Sequence, residues 1–342
     1  MTRMHIRTLG RQRGLSLVEL MIGMALGLVL LTALASLYVS TSQSRAQLNN
    51  SANQIENGRY ALDQLTQELR LAGFMGTSNL MSTAVVSAPA VCAVATNLLG
   101  FSASGPNVPQ AVYGYVPPAQ ANVSCLPNWV PNSEILVVRR VSTTVTATVV
   151  GGQAYMQVSA CQGDGVPFVF SSTATDFVVH DKTCSTLAPI RQVSVRVFYL
   201  ANCDICSGNG DGVPTLKVAE FSAGGFVSNS IAQGIQDVHF SYGVDLDSNG
   251  SADCYVSDPG VDNSAFCAGT TYNWATPLTN WSNVTAVRIN LLARTLSVAP
   301  GWVDKRTYDL GRGTQTGPFN DGYKRHVYAQ VARLDNVAGP RE

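Results

Sequence analysis

The spacing of apolar and polar residues changes character twice along the chain. From Leu20 to Val39 no residue is charged, and apolar side chains fall on every side of a helical wheel. At about 1.5 Å per helical residue, that run is long enough to cross the hydrocarbon layer of a bilayer. The period then becomes one-sided. Leu48, Ile55, Leu62 and Leu69 recur at heptad spacing, with Ala52, Leu65 and Ala72 between them. This predicts a single amphipathic stripe on a helix from Leu15 to about Ala72. Gly58 is its weak point before Gly73. Residues 77–129 mix Ala, Val, Ser, Pro and Asn with few charges and predict loops with short strands.

Strand patterns dominate the rest. Glu134 to Val150 is rich in β-branched residues. Val193, Val195, Val197 and Tyr199 alternate with Ser194, Arg196 and Phe198. Val287, Ile289 and Leu291 alternate with Arg288 and Asn290, and His326 to Val331 is a further run. Turn sequences at Asn209–Gly212 and Asp247–Gly250 separate the runs. The fold class expected is α+β: a long N-terminal helix packed on one antiparallel β-sheet head with elaborated, disulfide-bearing loops.

Charged residues are 13% of the 342 and hydrophobic ones 46%. Disordered chains show the opposite balance, which excludes a largely unfolded protein. Net charge is zero, yet Arg3, Arg7, Arg11 and Arg13 stand among the first fourteen residues with no acid. Setting those four aside leaves 18 basic against 22 acidic residues. A mildly acidic body is a poor partner for nucleic acid. A basic flank ahead of an apolar span keeps the flank in the cytoplasm and sends the following body across the membrane.

All eight cysteines lie beyond residue 91. An even number in a Ser/Thr/Gly-rich β region points to disulfides and an oxidising compartment. Of on the order of a hundred full pairings, sequence neighbours are the preferred one: Cys92–Cys125, Cys161–Cys184, Cys203–Cys206 and Cys254–Cys267. Only Cys203 and Cys206 have zinc-ligand spacing, and no second such pair follows. They also sit in a Gly/Asn loop rather than at a helix start, unlike a redox motif. Asp245, Asp247, Asn249, Ser251 and Asp253 fall at alternate positions with Gly250 at the sixth, the spacing of Ca²⁺ loops. Position twelve is Val256, so the closing Glu of an EF-hand is missing, and Asp258 is the substitute considered. Such residues also make ordinary turns. The histidines His5, His180, His239 and His326 have no catalytic spacing. No nucleophile elbow, zinc-protease pair or phosphate loop is present. An enzyme is not expected.

The stretch Gly14-Leu15-Ser16-Leu17-Val18-Glu19-Leu20, after a basic leader and before the apolar run, resembles the class III signal of type IV prepilins. The resemblance implies cleavage after Gly14 by a prepilin peptidase, methylation of the Leu15 amine, and pairing of Glu19 with a neighbouring subunit's N-terminal amine during assembly. Asn57-Gly58-Arg59-Tyr60-Ala61-Leu62 and Leu69-Arg70-Leu71-Ala72-Gly73-Phe74 resemble PilW-type minor pilins. Thr77 stands where many members have Cys. The stretches 195–200, 235–245 and 281–291 are similar to the same family. The domains implied are a leader over 1–14, a membrane or filament-core segment over 15–39, an amphipathic helix over 40–76 and an exported head over 77–342. The family implies a minor pilin that helps to initiate the filament near its tip. Its partners would be other minor pilins, the major pilin, prepilin peptidase and the inner membrane. A tip adhesin and a type II secretion pseudopilin are the alternatives.

Overall fold

A computed structural model describes residue 14 and residues 16–77, 85–102, 107–116, 123–267 and 271–341. Helix α1 spans Leu17–Leu71. The strands that follow are β1 (Val85–Ser87), β2 (Asn107–Pro109), β3 (Val112–Tyr115), β4 (Ile135–Val141), β5 (Tyr155–Val158), β6 (Phe168–Ser171), β7 (Ile190–Ala201), β8 (Thr215–Ser222), β9 (Gly225–Gln233), β10 (Ile235–Val244) and β11 (Cys254–Val256). A short α2 (Pro277–Ser282) precedes β12 (Val284–Arg294), β13 (Tyr308–Asp309), β14 (Gln315–Thr316) and β15 (Arg325–Arg333), and α3 (Asp335–Ala338) follows, leading into a 3-10 turn over Gly339–Arg341. Two compact units divide at Asn50, so helix residues 51–71 belong with the head.

The expected single sheet is several. A seven-stranded sheet runs β3-β4-β7-β5-β6, with β8 and β9 added beside β7. A four-stranded sheet runs β11-β10-β12-β15, and both are antiparallel. Two small pairs, β1-β2 and β13-β14, complete the set, the first of them parallel. The split falls at Gly234, between β9 and β10. Its φ of +73° suits glycine, and a Cβ there would lie 2.7 Å from the Arg294 carbonyl. The strand expected over 134–150 stops at Val141. Beyond it Ser142 Oγ accepts the Thr144 N–H at 3.1 Å and Thr146 Oγ1 donates to the Thr148 carbonyl at 3.0 Å. Such local bonds compete with a sheet ladder, and only a single bridge from Thr146 to Ile190 remains.

Two cores share the seven-stranded sheet. In β7 the even residues Phe198 and Leu200 join Leu62, Leu65 and Leu69 of the helix. The odd residues Val193, Val195, Val197 and Tyr199 face a second core with Phe168 and Phe170. β4 alternates the same way, Leu136 and Val138 against Ile135 and Val137. The buried helix stripe is Gln54, Gly58, Ala61, Leu62, Leu65, Glu68 and Leu69. Leu48, Ala52 and Ile55, expected in it, are exposed. At Ala52 and Ile55 the reason is polar and steric. Gln54 Nε2 donates to the Ala293 and Lys324 carbonyls at 2.7 and 3.0 Å. Gly58 admits the Tyr328 ring, whose Cε2 would lie 2.5 Å from an added Cβ.

Candidate functional site

The N-terminal element begins with Ser16 as helix cap. Ser16 Oγ accepts the Glu19 N–H at 3.1 Å, and a Glu19 carboxylate oxygen accepts the Ser16 N–H at 3.4 Å. This reciprocal pair is a capping box, and it satisfies two donors that a helix start leaves open. The cap is legible in the sequence as Ser-x-x-Glu ahead of an apolar run. Gly14 is exposed, with nothing within 4 Å of where a Cβ would stand, and Leu15 lies outside the described residues. After Glu19 the helix presents exposed apolar side chains to Val39, among them Leu20, Ile22, Leu26, Val29, Leu34 and Leu37. Thr32 and Ser36 return their hydroxyls to the Val29 and Ala33 carbonyls, both at 2.8 Å. Their polar groups are thus satisfied within the helix, as an apolar surround demands. By length and composition this helix suits a membrane span.

In the head, loop 245–253 joins β10 to β11 as a hairpin rather than joining two helices. One oxygen each of Asp245, Asp247 and Asp253 lie within 4.8 Å of one another. Asp245 is buried and accepts the Asn249 and Gly250 amides at 3.1 and 3.0 Å and Arg341 Nη1 at 3.1 Å. Asp247 accepts from Asn249, Asn249 Oδ1 accepts the Ser251 N–H, and Asp253 accepts the Leu246 N–H. Asp258 instead accepts the Gly260 N–H at 2.7 Å. The four disulfides join Cys92–Cys125, Cys161–Cys184, Cys203–Cys206 and Cys254–Cys267.

A cleft of about 630 Å³ opens beside β10 and is lined by Glu134, Asp237, His239 and Arg312. Arg312 binds Asp237 through two nitrogens, at 2.6 and 2.8 Å, and Glu134 at 3.1 Å. The other calls on Glu134 are His239 Nδ1 at 2.7 Å and the Phe240 N–H at 2.9 Å. Both carboxylates are therefore committed to ion pairs. They form a clasp between the loop before β4 and β10 rather than an acid–base pair awaiting a substrate.

Residues 9–35 match the model of the prokaryotic N-terminal methylation motif, and residues 197–336 match that of type IV pilus-assembly protein W. The chain is type IV pilin-like, with a PilW-type segment. Among solved structures it is similar to a type IV-like pilin from Thermus thermophilus. That match has 12% identity, covers 60% of this chain and 79% of that one, and has a TM-score of 0.27. No curated protein matches. The two matched segments together imply an involvement in pilus assembly. The first covers the capping box and most of the apolar run. The second runs from within β7 into α3 and takes in the calcium-like loop, the cleft residues Asp237, His239 and Arg312, and two disulfides. The family is structural rather than enzymatic.

Proposed function

We propose that the chain is a minor pilin that primes the filament together with other minor pilins and the major pilin, near the tip. The carrying observation is the N-terminal element: a prepilin motif, then a capped helix start whose single carboxylate, Glu19, heads an otherwise uncharged apolar surface. In a low-dielectric filament core a lone carboxylate needs a cation, and the amine of a neighbour cut after Gly14 supplies one. On this reading prepilin peptidase exposes Leu15. The helix then holds the protein in the inner membrane with residues 77–342 in the periplasm, and assembly carries it to the surface. The head, from Ser51 onward, is bulky for a repeating shaft, which favours a terminal position.

Deletion tests the reading. Loss of the chain is expected to abolish or sharply reduce surface pili. Mass spectrometry of sheared wild-type filaments is expected to find it at low copy, beginning at methylated Leu15. Normal piliation after deletion, with loss of protein secretion instead, would support the secretion pseudopilin. We also assign Ca²⁺ to Asp245, Asp247, Asn249, Ser251 and Asp253. The convergence of three carboxylates supports this, with Arg341 as the competing cation on Asp245.

A further inference from the structure

The exposed loop after β7 carries the Cys203–Cys206 bridge, and a lysine reaches it from the neighbouring strand. Lys217 of β8 is 8% exposed. Its Nζ donates to the Asp204 carbonyl at 2.9 Å and to Cys206 Sγ at 3.4 Å. Among the described residues it makes no ion pair with a carboxylate. The nearby acids are engaged elsewhere: Asp204 Oδ2 accepts from Gln233 at 2.7 Å, and Asp211 accepts the Asp204, Ile205 and Val213 amides. A buried ammonium whose partners are a carbonyl and a sulfur is under-compensated. A thiolate at Cys206 would compensate it. Among the described residues, the sulfurs of Cys92 and Cys161 receive backbone amides instead. Access also has a direction. Cys203 is buried, Cys206 is half-buried, and Ile205 between them is 65% exposed.

We propose that the Cys203–Cys206 bridge is a thiol–disulfide exchange site for a dithiol, with Lys217 as the residue that stabilises its open form. A thiolate of the dithiol attacks Cys206 Sγ, the accessible sulfur. A mixed disulfide forms and Cys203 leaves with the electron pair, taking a proton from solvent. The second thiol of the reductant then loses its proton and attacks the reductant's own sulfur in the mixed disulfide. Cys206 is released as a thiolate beside Lys217. The dithiol becomes a cyclic disulfide and the bridge has gained two electrons. Lys217 acts on this equilibrium because it stabilises the leaving thiolate and the open product but meets no charge in the closed bridge. Opening removes the covalent tie on the loop up to Gly212, whose Gly208, Gly210 and Gly212 all hold positive φ, and leaves it held by hydrogen bonds to Asp204 and Asp211. Whatever contacts that loop then depends on the redox poise outside the membrane.

The test equilibrates the full-length protein in detergent with graded ratios of reduced to oxidised dithiothreitol, then acid-quenches, alkylates and maps the cysteine peptides. Cys203 and Cys206 are expected to become alkylated at ratios about tenfold lower than any other pair. Lys217→Gln is expected to raise that midpoint about tenfold and leave the other three unchanged, with Lys217→Arg close to wild type. The wild-type order of opening requires no variant to fold. If Cys203–Cys206 opens with or after the other bridges, or if Lys217→Gln leaves its midpoint in place, the proposal is overturned.

Discussion

Glu19 is held at the helix start and is also the only charge on the apolar surface, and substitutions separate these two roles. Gln at the third helical position still closes a capping box but carries no charge. Ala removes both, and Ser16→Ala removes the hydroxyl cap while keeping the carboxylate. If Glu19 serves to pair with a neighbour's amine, Glu19→Gln and Glu19→Ala both insert and are processed but enter filaments poorly. Ser16→Ala weakens the first turn by about 1 kcal/mol and still assembles. Immunoblots of sheared filaments against membranes distinguish the cases, and wild-type incorporation of Glu19→Gln would reduce Glu19 to a cap. Asp245, Asp247 and Asp253 pose a similar question in the head. Millimolar Ca²⁺ is expected to raise the melting temperature by mass action, and Asp247→Ala with Asp253→Ala is expected to remove the rise. Asp245 is a poor choice for that test, since its removal strands Arg341 and two amides whatever the ion does. An unchanged melting temperature in wild type would leave the loop as a turn.

At the scale of elements, Glu68 ties helix to sheet. Arg140 of β4 reaches it through two nitrogens, at 3.1 and 3.2 Å, and Arg196 of β7 reaches the same carboxylate. Both arginines sit on the even face of their strands, in phase with Val138 and Phe198, so strand alternation aims them at the helix. Glu68→Leu leaves two arginines facing an apolar contact and is expected to cost about 3 kcal/mol, read as a lower urea midpoint. A second pairing responds to acid. Ser159 Oγ, then the His180 N–H and ring, hold the Asp164 carboxyl down to about 2. An unfolded Asp titrates near about 4. The folded state thus binds fewer protons, and the contribution is present above about pH 4 and lost as pH falls through about 2. Asp164→Asn is expected to be less stable than wild type at about pH 5, with the gap closing toward about pH 2 in thermal melts. Neither tie was legible in the sequence, because ion pairs between distant elements leave no local period. The strand alternation of β7 and β12 was legible, since each side of a sheet reads directly as every second residue.

For the whole molecule, legibility follows from whether local chemistry or tertiary contact decides a feature. The prepilin stretch, the long helix and the β-rich head could be read because apolar period and charge position are local. The helix stripe was misplaced at Ala52 and Ile55 because tertiary contacts selected Gln54 and Gly58 instead. The division between the two larger sheets was hidden because it falls at Gly234, where a tertiary contact with the Arg294 carbonyl leaves no local period in the sequence. The unit boundary at Asn50 has a direct consequence. Residues 51–71 belong to the head, and Leu62, Leu65 and Leu69 are fully or nearly buried in its larger core. Removing them would expose the partners of three leucines, each worth about 1.5–3 kcal/mol when buried. Their loss approaches the whole stability of an ordinary domain, about 5–15 kcal/mol. A chain begun at Ser51 and exported to an oxidising compartment is therefore expected to be soluble and to melt cooperatively with its disulfides formed. A chain begun at Gly73 is expected to aggregate or to bind a hydrophobic dye without a cooperative transition. Size-exclusion chromatography and calorimetry on the two decide it. A stable monomer from Gly73 onward would mean that the helix is an appendage of the head rather than part of its core.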